Sequence, residues 1–166
     1  MSSTENNSKM ITGDVKSRID RWISHYPADQ RQSAVMPALR IVQEVNGGHL
    51  TTELMDEIAD YLGMPPIAVY EVATFYGNYE HQPVGEFKFC VCNSISCMLR
   101  GKDDIIAYLE KRLGIKVGEV TPDGKFSIKK VECLGACGGA PMMQLGKEYH
   151  ENLTEEYLDK LITELE

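Results

Sequence analysis

The chain has 166 residues, of which 43% are apolar, and its formal net charge is −8. This length suits one ordinary domain or two small ones, and the apolar content is sufficient for a buried core. The acidic balance argues against nucleic-acid binding, which needs a basic surface, and no apolar run approaches the roughly 20 residues that span a bilayer.

The N-terminal segment is polar. Residues 1–13 lack the apolar stretch of a signal peptide and the Arg-rich composition of a transit peptide. We interpret them as a disordered tail and expect the chain to reside in a reducing cytoplasm. In that compartment the five cysteines are better explained as metal ligands or reactive thiols than as a disulfide framework.

Residues 14–80 carry the pattern of a helical domain. Apolar residues recur at helical spacing in four segments, each bounded by a capping residue, a proline or a glycine. Asp14 is the predicted cap of the first helix, and Thr51 or Thr52 that of the third. Pro37 is compatible with the second helix only in its first turn, because proline has no N–H to donate. The segments span residues 14–27, 33–48, 50–63 and 65–79.

Residues 81–166 have a mixed pattern. Apolar and polar residues alternate in "GEFKFCVC" and again in "GKFSIKKVEC", which predicts two strands, and "KDDIIAYLEKRLG" between them predicts a helix. Two short strands around a turn at Gly146 and a final helix capped by Thr154 follow, with Leu153 placed to contact Leu158. The order indicates a βαβ unit with a hairpin and a helix, an α/β arrangement.

Four cysteines form two pairs, and each pair directly follows a predicted strand. Four residues separate Cys92 from Cys97, and three separate Cys133 from Cys137. Two parallel strands joined by a crossover helix have their carboxyl ends at the same edge of the sheet. We therefore expect the four thiolates to converge there, as the ligands of either a structural zinc ion or an iron–sulfur cluster.

The residues around the cysteines suit a cluster wrapped by main chain. Glycine permits close backbone approach and positive φ angles, so backbone N–H groups can reach sulfur atoms and tune the potential. The glycines concerned are Gly135, Gly138 and Gly139, with Ser94 and Ser96 as small polar neighbours. The apolar residues expected to shield the site from water are Ile95, Met98, Leu134, Met142 and Met143.

The cysteines allow several interpretations, which differ in strength. A lone cysteine is usually a small buried apolar residue, but two tight pairs after two strands favour a metal site. Zinc sites accept similar gaps between cysteines, so spacing alone leaves zinc open. Thioredoxin-type redox chemistry needs Cys-x-x-Cys, which neither pair has. Cys90 is interpreted as a sheet residue, because a pair of tetrahedral irons needs only four thiolates.

Several motifs together resemble a known family. The chain is similar to the thioredoxin-like 2Fe–2S subunit of NADH-quinone oxidoreductase, the E subunit of respiratory complex I, from about the first helix to the C-terminus. The motifs that carry this resemblance are "VYEVATFY", "CNSISCMLRG", "LGIKVGEVTPDGKFSI", "VECLGACGGAPMM" and "YHENLTEEYLDKLI".

The resemblance implies a fold, a cofactor and a role. The fold is a helical N-terminal region, residues 14–80, followed by a thioredoxin-like 2Fe–2S domain, residues 81–166. Cys92, Cys97, Cys133 and Cys137 correspond to the ligands of one 2Fe–2S cluster, and Cys90 does not. The chain is expected to carry single electrons beside the subunit that binds FMN and oxidises NADH, without catalytic residues or NADH oxidation of its own.

The same resemblance implies which subunits the chain contacts and where in the cell it lies. The partners are the flavin subunit and other peripheral-arm subunits of an NADH:quinone oxidoreductase, a translocase. The chain then lies at the inner face of the plasma membrane through the complex and does not insert into the membrane. Similar subunits occur in NAD-linked hydrogenases and formate dehydrogenases, which remain an alternative parent complex. A zinc-stabilised interaction module without redox function is the alternative from a different class.

Overall fold

A computed structural model describes residues 9–166, so most of the predicted tail lies outside the described residues. The chain divides into two compact units between Pro83 and Val84. No helix in the described part is long and apolar enough to cross a bilayer.

The N-terminal unit is helical, and the four predicted helices are confirmed. They are α1 (Gly13–Ile23), α2 (Val35–Val45), α3 (Thr52–Leu62) and α4 (Pro66–Phe75), and a short 3-10 turn (Arg31–Ala34) precedes α2. Pro37 is the third residue of α2 and thus lies in its first turn, where a proline removes no interior hydrogen bond. Fully buried apolar side chains from all four helices form one core, among them Ile19, Leu39, Val42, Ile58 and Val69.

The helix ends follow the predicted chemistry except at α1. The Thr51 side chain accepts a hydrogen bond from the N–H of Leu54, and α3 ends at Gly63, whose φ of 70° is left-handed. Asp14, the predicted cap of α1, instead lies in its first turn, and Thr12 takes the cap position. The carboxylate of Glu57 accepts hydrogen bonds from the N–H groups of Met10 and Ile11, which ties the start of the described chain to α3.

The C-terminal unit is a four-stranded sheet with helices. Its strands are β1 (Phe87–Cys92), β2 (Phe126–Val131), β3 (Met143–Leu145) and β4 (Glu148–His150), and its helices are α5 (Ile95–Leu99), α6 (Lys102–Leu113) and α7 (Glu155–Leu165). The predicted strands and the two predicted helices are present. The five-residue helix α5 was not predicted, because it is too short to show a helical period.

The sheet order is β2-β1-β3-β4. β1 and β2 are parallel, with Phe87 opposite Phe126 and Cys92 opposite Val131. β3 pairs antiparallel with β1, and β4 antiparallel with β3. The predicted βαβ unit with a hairpin is confirmed, and with it the α/β fold.

One core joins the sheet to α6 and α7. The stacked rings of Phe89 and Phe126, with centroids 5.8 Å apart, belong to it. Leu109 from α6 and Ile162 from α7 are fully buried in the same cluster. Thr154 caps α7 by accepting the N–H of Tyr157 at 3.1 Å. Cys92 and Cys97, near the carboxyl end of β1, belong to a separate buried cluster.

Candidate metal centre

The four predicted ligands lie at the carboxyl ends of the two parallel strands. Cys92 is the last residue of β1, and Cys97 follows in α5. Cys133 lies two residues after the end of β2, and Cys137 begins a 3-10 turn that ends at Gly139. Because β1 and β2 run in parallel and in register, both cysteine loops start at the same edge of the sheet.

The sulfur atoms of these four residues approach one another. The Sγ atoms of Cys133 and Cys137 are 3.7 Å apart. The thiol of Cys92 is within hydrogen-bonding reach of the thiols of Cys97 and Cys133. Cys137 also interacts electrostatically with the thiol of Cys97. Cys90 has a different setting, since it lies within β1 between Lys129 of β2 and Gln144 of β3.

The two pairs differ in burial. Cys92 and Cys97 are 2% and 1% exposed, whereas Cys133 and Cys137 are exposed. The first pair thus lies in the protein interior and the second at its surface.

The apolar residues expected to shield the site differ in burial. Met142 is buried in one cluster with Cys92 and Cys97, and Leu134 packs against that cluster. Met143 is buried in the sheet core instead. Ile95 and Met98, however, are 69% and 48% exposed and lie outside the cluster of Cys92 and Cys97, and their shielding of the site stays a prediction. Cys97 occupies the inward face of α5, and its helical neighbours therefore point outward.

Backbone N–H groups surround the sulfur atoms. The N–H of Gly135 donates to Sγ of Cys133 at 3.4 Å. The N–H groups of Ser94 and Leu134 donate to the sulfur of Cys92, and Met142 provides the same kind of contact to Cys97. Donors of this kind stabilise negative charge on sulfur.

The thiol pKa values show the balance of these effects. Burial acts to raise the pKa of Cys92, but the N–H groups of Ser94 and Leu134, with the thiols of Cys97 and Cys133, outweigh it and leave that pKa below its ordinary value. Burial raises the pKa of Cys97, and the neighbouring Cys92 raises it further. Cys92 is therefore the more readily ionised member of the buried pair.

The three glycines of the second loop differ in backbone conformation and in surroundings. Gly135 alone of the three has a positive φ, of 82°. Gly138 has open space where a Cβ would lie, whereas a Cβ on Gly139 would come within 2.6 Å of Cβ of Glu151. Gly139 therefore leaves room for the Glu151 side chain, and the approach of these glycines to a cluster stays a prediction.

The donor set fits a binuclear iron–sulfur cluster. Four thiols in two pairs match the four cysteine ligands of a 2Fe–2S centre, and the N–H groups suit its negative charge. Among residues 9–166 no three His, Cys, Asp or Glu side chains are grouped as they are around a single metal ion.

Comparison with known proteins identifies the family. Residues 19–166 match the family model of the thioredoxin-like 2Fe-2S ferredoxins. The chain belongs to this family. The resemblance inferred from the sequence motifs is confirmed at the level of this family, and the family supports an iron–sulfur cluster.

Curated relatives share most of the chain. The NADH-quinone oxidoreductase E subunit 2 of Rhizobium meliloti is 45% identical over 148 residues, which cover 89% of this chain and 86% of the relative. The E subunit of the Rickettsia felis enzyme is 44% identical over 142 residues, covering 86% and 85%. The mitochondrial NADH dehydrogenase (ubiquinone) flavoprotein 2 of Dictyostelium discoideum is 43% identical over 137 residues, covering 82% of this chain and 56% of the relative.

Solved structures show the same fold within larger chains. The air-oxidized NAD+-reducing NiFe hydrogenase matches with a TM-score of 0.68 and 18% identity over 84% of this chain. The H2-reduced state matches with a TM-score of 0.65 and 19% identity over 78%. This chain spans only 24% and 22% of those two chains.

One contact of the site was not predicted from the sequence. The hydroxyl of Tyr149 in β4 donates to the carbonyl oxygen of Leu134 at 2.8 Å. The two residues are 15 positions apart, and the contact joins β4 to the loop that follows β2. No local pattern marks Tyr149 as part of the site.

Proposed function

We propose that this chain is the electron-carrying E subunit of an NADH-quinone oxidoreductase, and that Cys92, Cys97, Cys133 and Cys137 hold one 2Fe–2S cluster. The observation that carries the proposal is the convergence of these four thiols at the ends of β1 and β2. The relatives that bear the same subunit name support the choice of complex. On this view residues 14–80 form a helical domain and residues 81–166 the cluster domain.

The chain's own residues would bind and tune the cluster. A 2Fe–2S cluster supplies the ability to accept and release one electron at a time. The cysteines hold it, the N–H groups of Ser94, Leu134 and Gly135 donate to ligand sulfurs, and the buried pair Cys92 and Cys97 excludes water from one side. With four cysteine ligands we expect a low reduction potential, on the order of −400 mV or below.

The proposed partner is the subunit that binds FMN and oxidises NADH, within the peripheral arm of a proton-translocating complex. The exposed apolar side chains of α5 support a protein partner beside the cluster ligands, because Ile95, Met98 and Leu99 flank Cys97 and turn outward. The chain alone is then expected to show no NADH oxidation. It would lie on the cytoplasmic side of the membrane, attached through the complex.

Leu99→Glu tests this docking face. Leu99 is 77% exposed, so the change should leave the fold and the cluster intact but place a charge in an apolar contact. We expect the dissociation constant for the purified FMN subunit to rise at least about tenfold, or about 1.4 kcal/mol. Calorimetric titration would measure it.

Thr163→Glu is the matched control, because it adds the same charge to an exposed position of α7. It should bind like the unchanged chain. An unchanged affinity in Leu99→Glu would contradict docking through α5. The same loss of affinity in both variants would also contradict it.

Spectroscopy of the purified chain tests the function itself. A reconstituted chain is expected to absorb visible light, to bleach with dithionite, and to give the paramagnetic resonance signal of one reduced 2Fe–2S centre. A natively purified chain that holds zinc without sulfide would instead support an interaction module. Tight NADH binding with reduction of an acceptor by this chain alone would contradict the carrier role.

A second parent complex has a specific observation in its favour. The fold recurs in NAD+-reducing NiFe hydrogenase, so the same electron-carrying role in an NAD-linked hydrogenase is the alternative. Identification of the proteins that co-purify with the native chain would separate the two.

A further inference from the structure

A single amide group links Tyr149 to a ligand of the candidate cluster. The carbonyl oxygen of Leu134 accepts the Tyr149 hydroxyl at 2.8 Å. The N–H of Gly135 donates to Sγ of Cys133 at 3.4 Å. These two atoms belong to the same peptide unit, which is planar, so the position of the carbonyl determines where the N–H points.

The glycine side of this amide is not restrained by side-chain packing. Gly135 has a φ of 82° and open space around its missing Cβ, so side-chain packing does not restrain the peptide plane there. Glycine moves between conformations more easily than other residues. Packing of Leu134 against the cluster of Cys92 and Cys97 restrains the other side of the amide, and a hydrogen bond at its carbonyl adds a restraint that keeps the N–H directed at sulfur.

Tyr149 provides that contact from a stable position. It lies in β4 opposite Gln144 of β3, and β3 pairs with β1, which carries Cys92. Tyr149 is thus anchored to the same sheet as Cys92. A hydrogen bond to the carbonyl also polarises the amide and strengthens the bond that its N–H donates.

We propose that Tyr149 is a positioning residue for the cluster: its hydroxyl orients the Leu134–Gly135 amide so that the Gly135 N–H donates to the sulfur of Cys133 and raises the reduction potential. The inference rests on the proposed 2Fe–2S centre. The potential rises because the reduced cluster is more negative than the oxidised one. A hydrogen-bond donor at its sulfur therefore stabilises the reduced form more than the oxidised form.

Tyr149→Phe removes only the hydroxyl. The phenylalanine ring occupies the same space as the tyrosine ring. Because residue 149 is 49% exposed, water can replace the hydroxyl at the Leu134 carbonyl, but a water molecule does not fix the direction of that carbonyl. We expect unchanged iron and sulfide content. The equilibrium constant for reduction should fall about threefold, which is about 28 mV toward lower potential, since tenfold is 59 mV for one electron.

Tyr157→Phe is the matched control. The Tyr157 hydroxyl contacts Nδ1 of His150 at 2.6 Å and is likewise on an exposed side chain. A redox titration followed by paramagnetic resonance should give this variant the potential of the unchanged chain.

Three results would overturn the inference. They are an unchanged potential in Tyr149→Phe, an equal shift in both variants, and a Tyr149→Phe chain that fails to load iron, because the proposed role is orientation and not ligand retention. An unchanged chain without a 2Fe–2S signal would instead contradict the proposed function, so the two failures are distinguishable.

Discussion

Cys133→Ser is expected to abolish assembly of the 2Fe–2S cluster. The change removes a thiolate that the Gly135 N–H faces at 3.4 Å and that lies 3.7 Å from the sulfur of Cys137. Cys133 is exposed, so the fold does not depend on burying its side chain. The expected result is therefore a folded chain that has lost nearly all of its iron and acid-labile sulfide, measured on anaerobically reconstituted protein.

Cys90→Ser is the control for this prediction. Cys90 lies in the middle of β1, opposite Lys129 and Gln144, and two residues from Cys92. The same chemical change there should leave iron, sulfide and the resonance signal as in the unchanged chain. Iron loss in the Cys90 variant, or full loading of the Cys133 variant, would contradict the assignment of ligands.

Gly139→Ala is expected to destabilise the cluster domain by about 1–3 kcal/mol, the usual cost of inserting a methyl group into a filled space. The new Cβ would lie 2.6 Å from Cβ of Glu151. The rest of the Glu151 side chain can rotate away, but its Cβ is fixed to the backbone. The two segments must therefore separate, which weakens the bond from the N–H of Asn152 to the carbonyl of Gly139.

The neighbouring glycine offers a matched comparison. A Cβ on Gly138 would meet nothing within 4 Å, and its φ is not positive, so Gly138→Ala should unfold like the unchanged chain. Denaturant unfolding followed by circular dichroism measures both variants. Since Gly139 ends the turn that begins at Cys137, its variant should also retain less iron. Equal stabilities for the two variants would disprove the close-approach argument.

The helices and strands could be predicted from the sequence because their signals are local. The apolar period of 3.6 along α3, with Thr51 before it and Gly63 after it, is set by residues that are neighbours in the chain. Alternation in Phe87–Cys92 marked β1 in the same way. The short helix α5 escaped prediction because five residues do not complete two helical turns.

The meeting of the cysteine loops was also predictable, although its residues are far apart. Each pair follows a strand, and a right-handed βαβ connection leaves little choice about which edge of the sheet receives the loops. The parallel register of Cys92 with Val131 is the result. The assignment of these four cysteines as cluster ligands remains a prediction, for which the Cys133 and Cys90 variants are the test.

By itself, then, the sequence determined the α/β fold and the placement of four cysteines at one sheet edge, because periodicity and the handedness of the βαβ connection act through the backbone. Only the tertiary structure decided that α5 turns Ile95 and Met98 outward, that Gly139 and not Gly138 is crowded, and that the Tyr149 hydroxyl reaches the Leu134 carbonyl. Each of these depends on which side chains from separate segments share a space, and packing settles that only when the whole unit has folded.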